Sequence, residues 1–142
     1  MLRSIPKTIS PELIRVMMEM GHSDRLVIAD ANFPAAAHAK RLIRADGVEI
    51  PEILDAILRF FPLDSFVKHP VSLMRPLNTE PVPEIWGTYE RLIKQHDQEG
   101  AFTEFLLIDR LAFYEETESA YAVVATGTTA RYANIVLQKG VI

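Results

Sequence analysis

The 142-residue sequence contains no cysteine, which excludes disulfides, thiolate nucleophiles and cysteine-based zinc or iron–sulfur sites. It has no basic excess either: 15 Lys and Arg stand against 19 Asp and Glu, a net charge of −4. A nucleic-acid surface needs a basic stripe to neutralise phosphates, so none is expected. No apolar run approaches the ~20 residues that span a bilayer, and Met1–Pro6 has no apolar core of signal-peptide length. A cytoplasmic protein with no membrane partner is the expectation. Three nucleotide and nucleophile motifs are missing: Gly-x-Gly-x-x-Gly, the phosphate loop ending in Gly-Lys-Ser/Thr, and the Gly-x-Ser-x-Gly elbow. The four histidines (His22, His38, His69, His96) include no pair at i, i+4, so neither a metal nor a cofactor is expected.

What is present reads as one α/β domain over residues 1–142, with a mostly parallel central sheet flanked by helices. Ser10-Pro11-Glu12 opens a first helix, since a serine caps orphan amides and proline suits the first helical position. Leu13, Met17 and Met20 follow at helical spacing, and Gly21 is placed to end the helix in a left-handed conformation. Leu26–Ala29 is an unbroken apolar run, the signature of a strand buried on both faces. Pro51-Glu52 opens a second helix that carries Ile53, Leu54, Ile57, Leu58 and Phe61 and stops at Pro62. Val71–Met74, Phe105–Ile108, Tyr121–Ala125 and Ile135–Leu137 read as further strands, and Ile85–Ile93 as a third helix. The proline-rich stretch 76–83 is a loop too short to separate domains.

In parallel sheets ligands bind beyond the carboxyl ends of the strands. Asp30, the Asp109-Arg110 pair and Gly127 all follow strands. The segment 127–131 is best read as an ordinary strand-exit turn rather than an anion cradle. Imidazole suits proton transfer near neutral pH. His22 draws attention because it leaves a helix end, with one strand between it and Asp30, although His22 and Asp24 can equally be read as shaping the turn. His38 lies in the alanine-rich stretch 35–39 and reads as a packed or partly exposed side chain; His69 and His96 read as structural or surface residues. Asp64 has the ordinary reading of a turn carboxylate. Arg110 and Tyr114 have those of a surface ion pair and a core aromatic. Tyr132 and Asn134 flank Ala133 at the start of the final strand.

The segments Met20–Asp24, Ala29–Pro34, Arg44–Gly47, Pro62–Asp64, Arg110–Glu115, Ala125–Gly127, Tyr132–Ile135 and Lys139-Gly140 together resemble the ribose pyranase and fucose mutarotase family, nearly end to end and in order. The Arg-x-x-Phe-Tyr-Glu pattern at 110–115 and Arg-Ala-Asp-Gly at 44–47 resemble the fucose branch. Many fucose members carry glycine where this chain has Ala133, a departure that keeps the pyranase branch as an alternative. The resemblance implies an isomerase that opens and recloses the hemiacetal ring of L-fucose or a similar monosaccharide. The alternatives are a D-ribose pyranase and a non-catalytic monosaccharide-binding protein. It implies His22 as the proton-donating group and Tyr114 as a second proton carrier. Asp30, Asp64, Arg110 and Asn134 would hydrogen-bond sugar hydroxyls, and Tyr132 would shape the pocket. Phe33 or Phe113 would supply an apolar patch for the methyl group of a deoxy sugar. It also implies a homo-oligomer, often a ring-like decamer, with sites near subunit interfaces.

Overall fold

Residues 2–142 are described in the computed structural model. Helix α1 (Pro11–Glu19) begins where Ser10 accepts a hydrogen bond from the Leu13 N–H at 3.1 Å, with Pro11 at its first position. The chain continues through β1 (Arg25–Ala29), α2 (Ala35–His38), β2 (Leu42–Ala45) and α3 (Ile50–Leu58) to β3 (Val71–Met74) and α4 (Ile85–His96). It ends with β4 (Leu106–Ile108), α5 (Arg110–Ser119), β5 (Ala122–Thr126) and β6 (Ile135–Gln138).

The six strands form one sheet in the order β2-β5-β1-β6-β3-β4. Three of the five pairings are parallel, but β6 runs antiparallel to both β1 and β3. Alternation along each strand sends side chains to two different cores. Leu26 and Ile28 pack with α1, α3 and α4 on one face, in a layer that includes Leu13, Ile53, Leu54, Trp86 and Tyr89. Val27 and Ala29 face the thinner second layer of Phe33, Ala35 and Phe113, supplied by α2 and α5. Both faces of β1 are therefore covered, as its unbroken apolar run predicts.

Some elements depart from the sequence reading. The first helix ends without a left-handed glycine: Met20 is extended, and the left-handed residue of the turn is Ser23, at φ 68°. Its N–H donates to the Lys139 carbonyl at 2.8 Å, while the Gly21 N–H donates to Asp24 Oδ2 at 2.7 Å. Helix α3 stops at Leu58 instead of Phe61, and the Phe60 and Phe61 amides both close onto the Ile57 carbonyl. Helices α2 and α5 and strand β2 are additional. In α5 the apolar residues Leu111–Tyr114 are consecutive, and only Phe113 and Thr117 are buried, so no apolar stripe announces a helix. Strand β2 is an edge of four residues with one buried side chain, Ile43.

Candidate active site

The reversal of β6 decides which residues meet. Because β6 is antiparallel, its first residues lie beside the carboxyl end of β1 and its last residues beside the start of β1. Two polar groupings result, one at each end of the sheet.

At the carboxyl end, the Asp30 backbone N–H donates to Asn134 Oδ1 at 2.7 Å, which stitches the exit of β1 to the entry of β6. The Asp30 side chain, itself buried, accepts from the Asn32 N–H at 2.9 Å. Burial pushes its carboxyl above the ordinary carboxylate range, only partly offset by the Asn32 and Phe33 amides and the Asn134 side chain. Asp30, Arg110, Tyr114, Tyr132 and Asn134 line one cavity of about 340 Å³, with Phe33 and Met74 as apolar walls. Small-molecule sites fall in the range of roughly 300–1,000 Å³. Arg110 is exposed and makes no ion pair among the described residues. Wider clefts adjoin on either side, one toward Arg44 and Gly127, the other between Arg75 and Leu111.

Tyr132 has a left-handed backbone, φ 54°, an uncommon state for a bulky residue. Its carbonyl accepts from Trp86 Nε1 at 2.8 Å, and the buried Ala133 carbonyl accepts from the Tyr89 hydroxyl at 2.7 Å. Ala133 is fully buried and is not left-handed. The conformation that favours glycine thus falls one residue earlier than the sequence comparison suggests. Tyr114 packs edge-on to Phe33 at 5.5 Å and stacks on His38 at 5.0 Å, and His38 Nδ1 lies 2.8 Å from Glu118 Oε1. Phe113 is fully buried beneath this layer and does not reach the cavity, which leaves Phe33 and Met74 as its apolar walls.

At the opposite end, His22 Nε2 lies 3.2 Å from Asp64 Oδ1. The Asp64 side chain has no exposed surface. Oδ1 also accepts from the Phe66 N–H at 3.0 Å, and Oδ2 accepts from Gln138 Nε2 at 2.9 Å. Burial opposes the charged form, yet Phe66, Gln138 and His22 together hold the carboxyl below its ordinary range. Within the chain both Asp64 oxygens already accept hydrogen bonds, and one of the partners is His22. Gly140 closes this end: an added Cβ would stand 2.5 Å from the Leu63 carbonyl oxygen. His22 itself is exposed and lies against Phe66 at 5.6 Å.

Within one chain, His22 and Asp64 therefore do not meet the other five predicted residues. The five residues of β1 stand between them, roughly 17 Å of extended chain. His69 pairs with Glu104 at 3.0 Å and His96 with Asp55 at 2.7 Å, away from both groupings. The 127–131 turn offers no free cradle at its start, since the Gly127 N–H donates to the Val48 carbonyl and the Thr128 N–H to Thr126 Oγ1. Among the described residues, no group of three or more His, Cys, Asp or Glu could hold a metal ion. None of their helices is long and apolar enough to cross a membrane.

Sheet and cavity together define an α/β protein with a small site at a strand-exit edge, lined by one carboxylate, two amides, two guanidiniums and two phenols around an apolar wall. Such a donor and acceptor set suits a polyol. The chain belongs to the RbsD / FucU transport protein family, whose model matches residues 3–142. It is 46% identical to a fucose mutarotase of Danio rerio, covering 99% of this chain and 94% of that protein. The crystal structure of the fucose mutarotase from Streptococcus pneumoniae in complex with L-fucose is 49% identical, with a TM-score of 0.91 over 99% of both chains. Bacillus subtilis RbsD complexed with D-ribose shares the fold at 22% identity, with a TM-score of 0.74 over 94% of this chain and 95% of that one.

Sequence reading missed the supports of the site. Trp86 and Tyr89 read only as apolar positions of a helix, and their polar tips gave no local signal. The stacking of His38 on Tyr114 joins residues 76 positions apart (114 − 38), beyond the reach of any spacing rule.

Proposed function

We propose that this protein is an isomerase that interconverts the α and β anomers of L-fucose, working as a homo-oligomer in the cytoplasm. The observation that carries this reading is the convergence of Asp30, Arg110, Tyr114, Tyr132 and Asn134 on one monosaccharide-sized cavity, in a chain similar throughout to fucose mutarotases. Asp30 accepts sugar hydroxyls, Asn134 retains its amide N–H groups for donation after accepting the Asp30 N–H, and Arg110 is free to bind from the rim. Phe33 and Met74 give the methyl group of a 6-deoxy sugar an apolar seat, which a ribose ring would not use.

Mutarotation needs one proton delivered to the ring oxygen and one taken from the anomeric hydroxyl. The bond from C1 to the ring oxygen then breaks, the anomeric oxygen becomes a carbonyl, and rotation about C1–C2 presents the other face for reclosure. The reaction proceeds unaided in water, so one or two well-placed groups, worth ~10²–10⁴-fold each, suffice. Tyr114, which lines the cavity, carries one proton. His22, oriented by Asp64, carries the other from a neighbouring copy, because on its own chain it lies at the far end of β1. The exposed Phe66 and Met18 near His22, and the exposed Leu111 and Leu77 beside the cavity, provide the apolar surface for that contact. A ring of such contacts, a decamer in particular, is the assembly this arrangement suits.

NMR saturation transfer between the α and β anomeric signals of L-fucose, with and without protein, tests the activity. Equal exchange rates in the two samples would remove the mutarotase reading, and faster exchange for ribose than for fucose would favour pyranase chemistry. His22→Ala and Asp30→Ala should each be inactive alone and regain exchange activity when mixed. Absence of complementation in mixed oligomers would count against a site shared between copies.

A further inference from the structure

We propose that Trp86 and Tyr89, on a helix that does not line the sugar cavity, are positioning residues that hold the 132–134 turn in its binding shape. This rests on the assignment of the cavity to a monosaccharide. The turn needs an external hold because Tyr132 occupies the left-handed region at φ 54°, where an L-residue with a side chain is strained by on the order of 1–2 kcal/mol. Such a conformation persists only when its surroundings over-determine it. Here the surroundings are two aromatic donors one turn apart on α4.

The Trp86 indole N–H binds the Tyr132 carbonyl at 2.8 Å, and the Tyr89 hydroxyl binds the Ala133 carbonyl at 2.7 Å. Together they fix the two successive peptide planes between Tyr132 and Asn134. Those planes aim the Tyr132 ring at one wall of the cavity, and they set where Asn134 Oδ1 meets the Asp30 N–H. The second hydrogen bond is durable. Tyr89 is fully buried, and burial, with the charges of Asp30 and Glu49, pushes its hydroxyl far above the ordinary phenol range. It remains a donor at every pH the protein meets. Neither residue lines the cavity of Asp30 and Asn134, so neither touches substrate there.

Tyr89→Phe removes one oxygen and keeps the ring; Trp86→Phe removes the N–H, keeps an aromatic side chain, and serves as the second variant if the first does not fold. Anomer exchange of L-fucose, measured against sugar concentration well below each variant's Tm, gives KM and kcat separately. We expect KM to rise about tenfold, the scale of one buried hydrogen bond in a binding surface, with kcat within about a factor of three. A purely structural role would lower Tm and leave KM unchanged, and that result overturns the inference. If the wild type does not accelerate exchange, the monosaccharide assignment fails by itself. The hold on the turn is then read from amide NMR spectra. Tyr89→Phe must broaden or multiply the resonances of residues 132–134, and single sharp peaks there overturn it.

Discussion

Asp64→Ala should destabilise the protein by roughly 2–4 kcal/mol, with a deficit that depends on pH. Three donors lose their acceptor: the Phe66 N–H at 3.0 Å, Gln138 Nε2 at 2.9 Å and His22 Nε2 at 3.2 Å. A buried donor left unpaired costs about 1–3 kcal/mol. His22 is exposed and finds water, so the loss counts chiefly for the other two, whose hydrogen bonds are part-buried and fall in the lower part of that range. For a chain of this length about 2–4 °C accompanies each kcal/mol, which puts the fall in Tm at roughly 4–16 °C near neutral pH. The carboxyl sits below its ordinary range in the folded protein. Its ionised form therefore contributes stability that is fully present above the unfolded carboxylate pKa of about 4 and is lost as pH falls through the depressed folded value. Calorimetry at pH 7 and at stepwise lower pH should show the gap between wild type and variant shrinking below about pH 4. A gap of under about 1 kcal/mol at pH 7, or one that widens on acidification, would refute the assignment of Asp64 as an ionised, fully paired carboxylate.

Asp30 should behave in the opposite sense. Burial raises its carboxyl, so it takes up a proton before ordinary carboxylates as pH falls; KM for L-fucose, measured by anomer exchange, should rise in that window, and Asp30→Asn should flatten the rise. Gly127→Ala would set a Cβ 2.2 Å from the Asp46 carbonyl oxygen, backbone against backbone. Denaturant unfolding should record a loss of about 1–3 kcal/mol together with altered backbone resonances at Asp46 and Val48.

Much of the scaffold was legible because it rests on short-range chemistry. Ser10 and Pro11 announce α1, and the apolar runs of β1, β5 and β6 announce strands covered on both faces. Where that chemistry is absent, the elements were silent. Edge strand β2 buries a single side chain, and α5 carries its apolar residues in a block instead of a stripe. The residues around the cavity could be named one by one, but their grouping could not. It depends on β6 running against its neighbours, which brings Asn134 to Asp30 and carries Gln138 away to Asp64. Nothing local records a strand's direction, so the pairing of Asn134 with Asp30 and of Gln138 with Asp64 carried no signal in the sequence.

The reversed strand is also the one that joins the sheet into a single piece. β6 follows every other strand in sequence, yet it lies inside the sheet between β1 and β3. Without its two ladders, β2, β5 and β1 would be one ribbon and β3 with β4 another, with nothing in the sheet joining them. The pairings of β6 with β1 and β3 are far apart in sequence, a non-local closure of the kind that slows folding. The ladder with β1 also sets Asn134 beside Asp30. The cavity those two residues line therefore depends on the strand that ties the two parts of the sheet together.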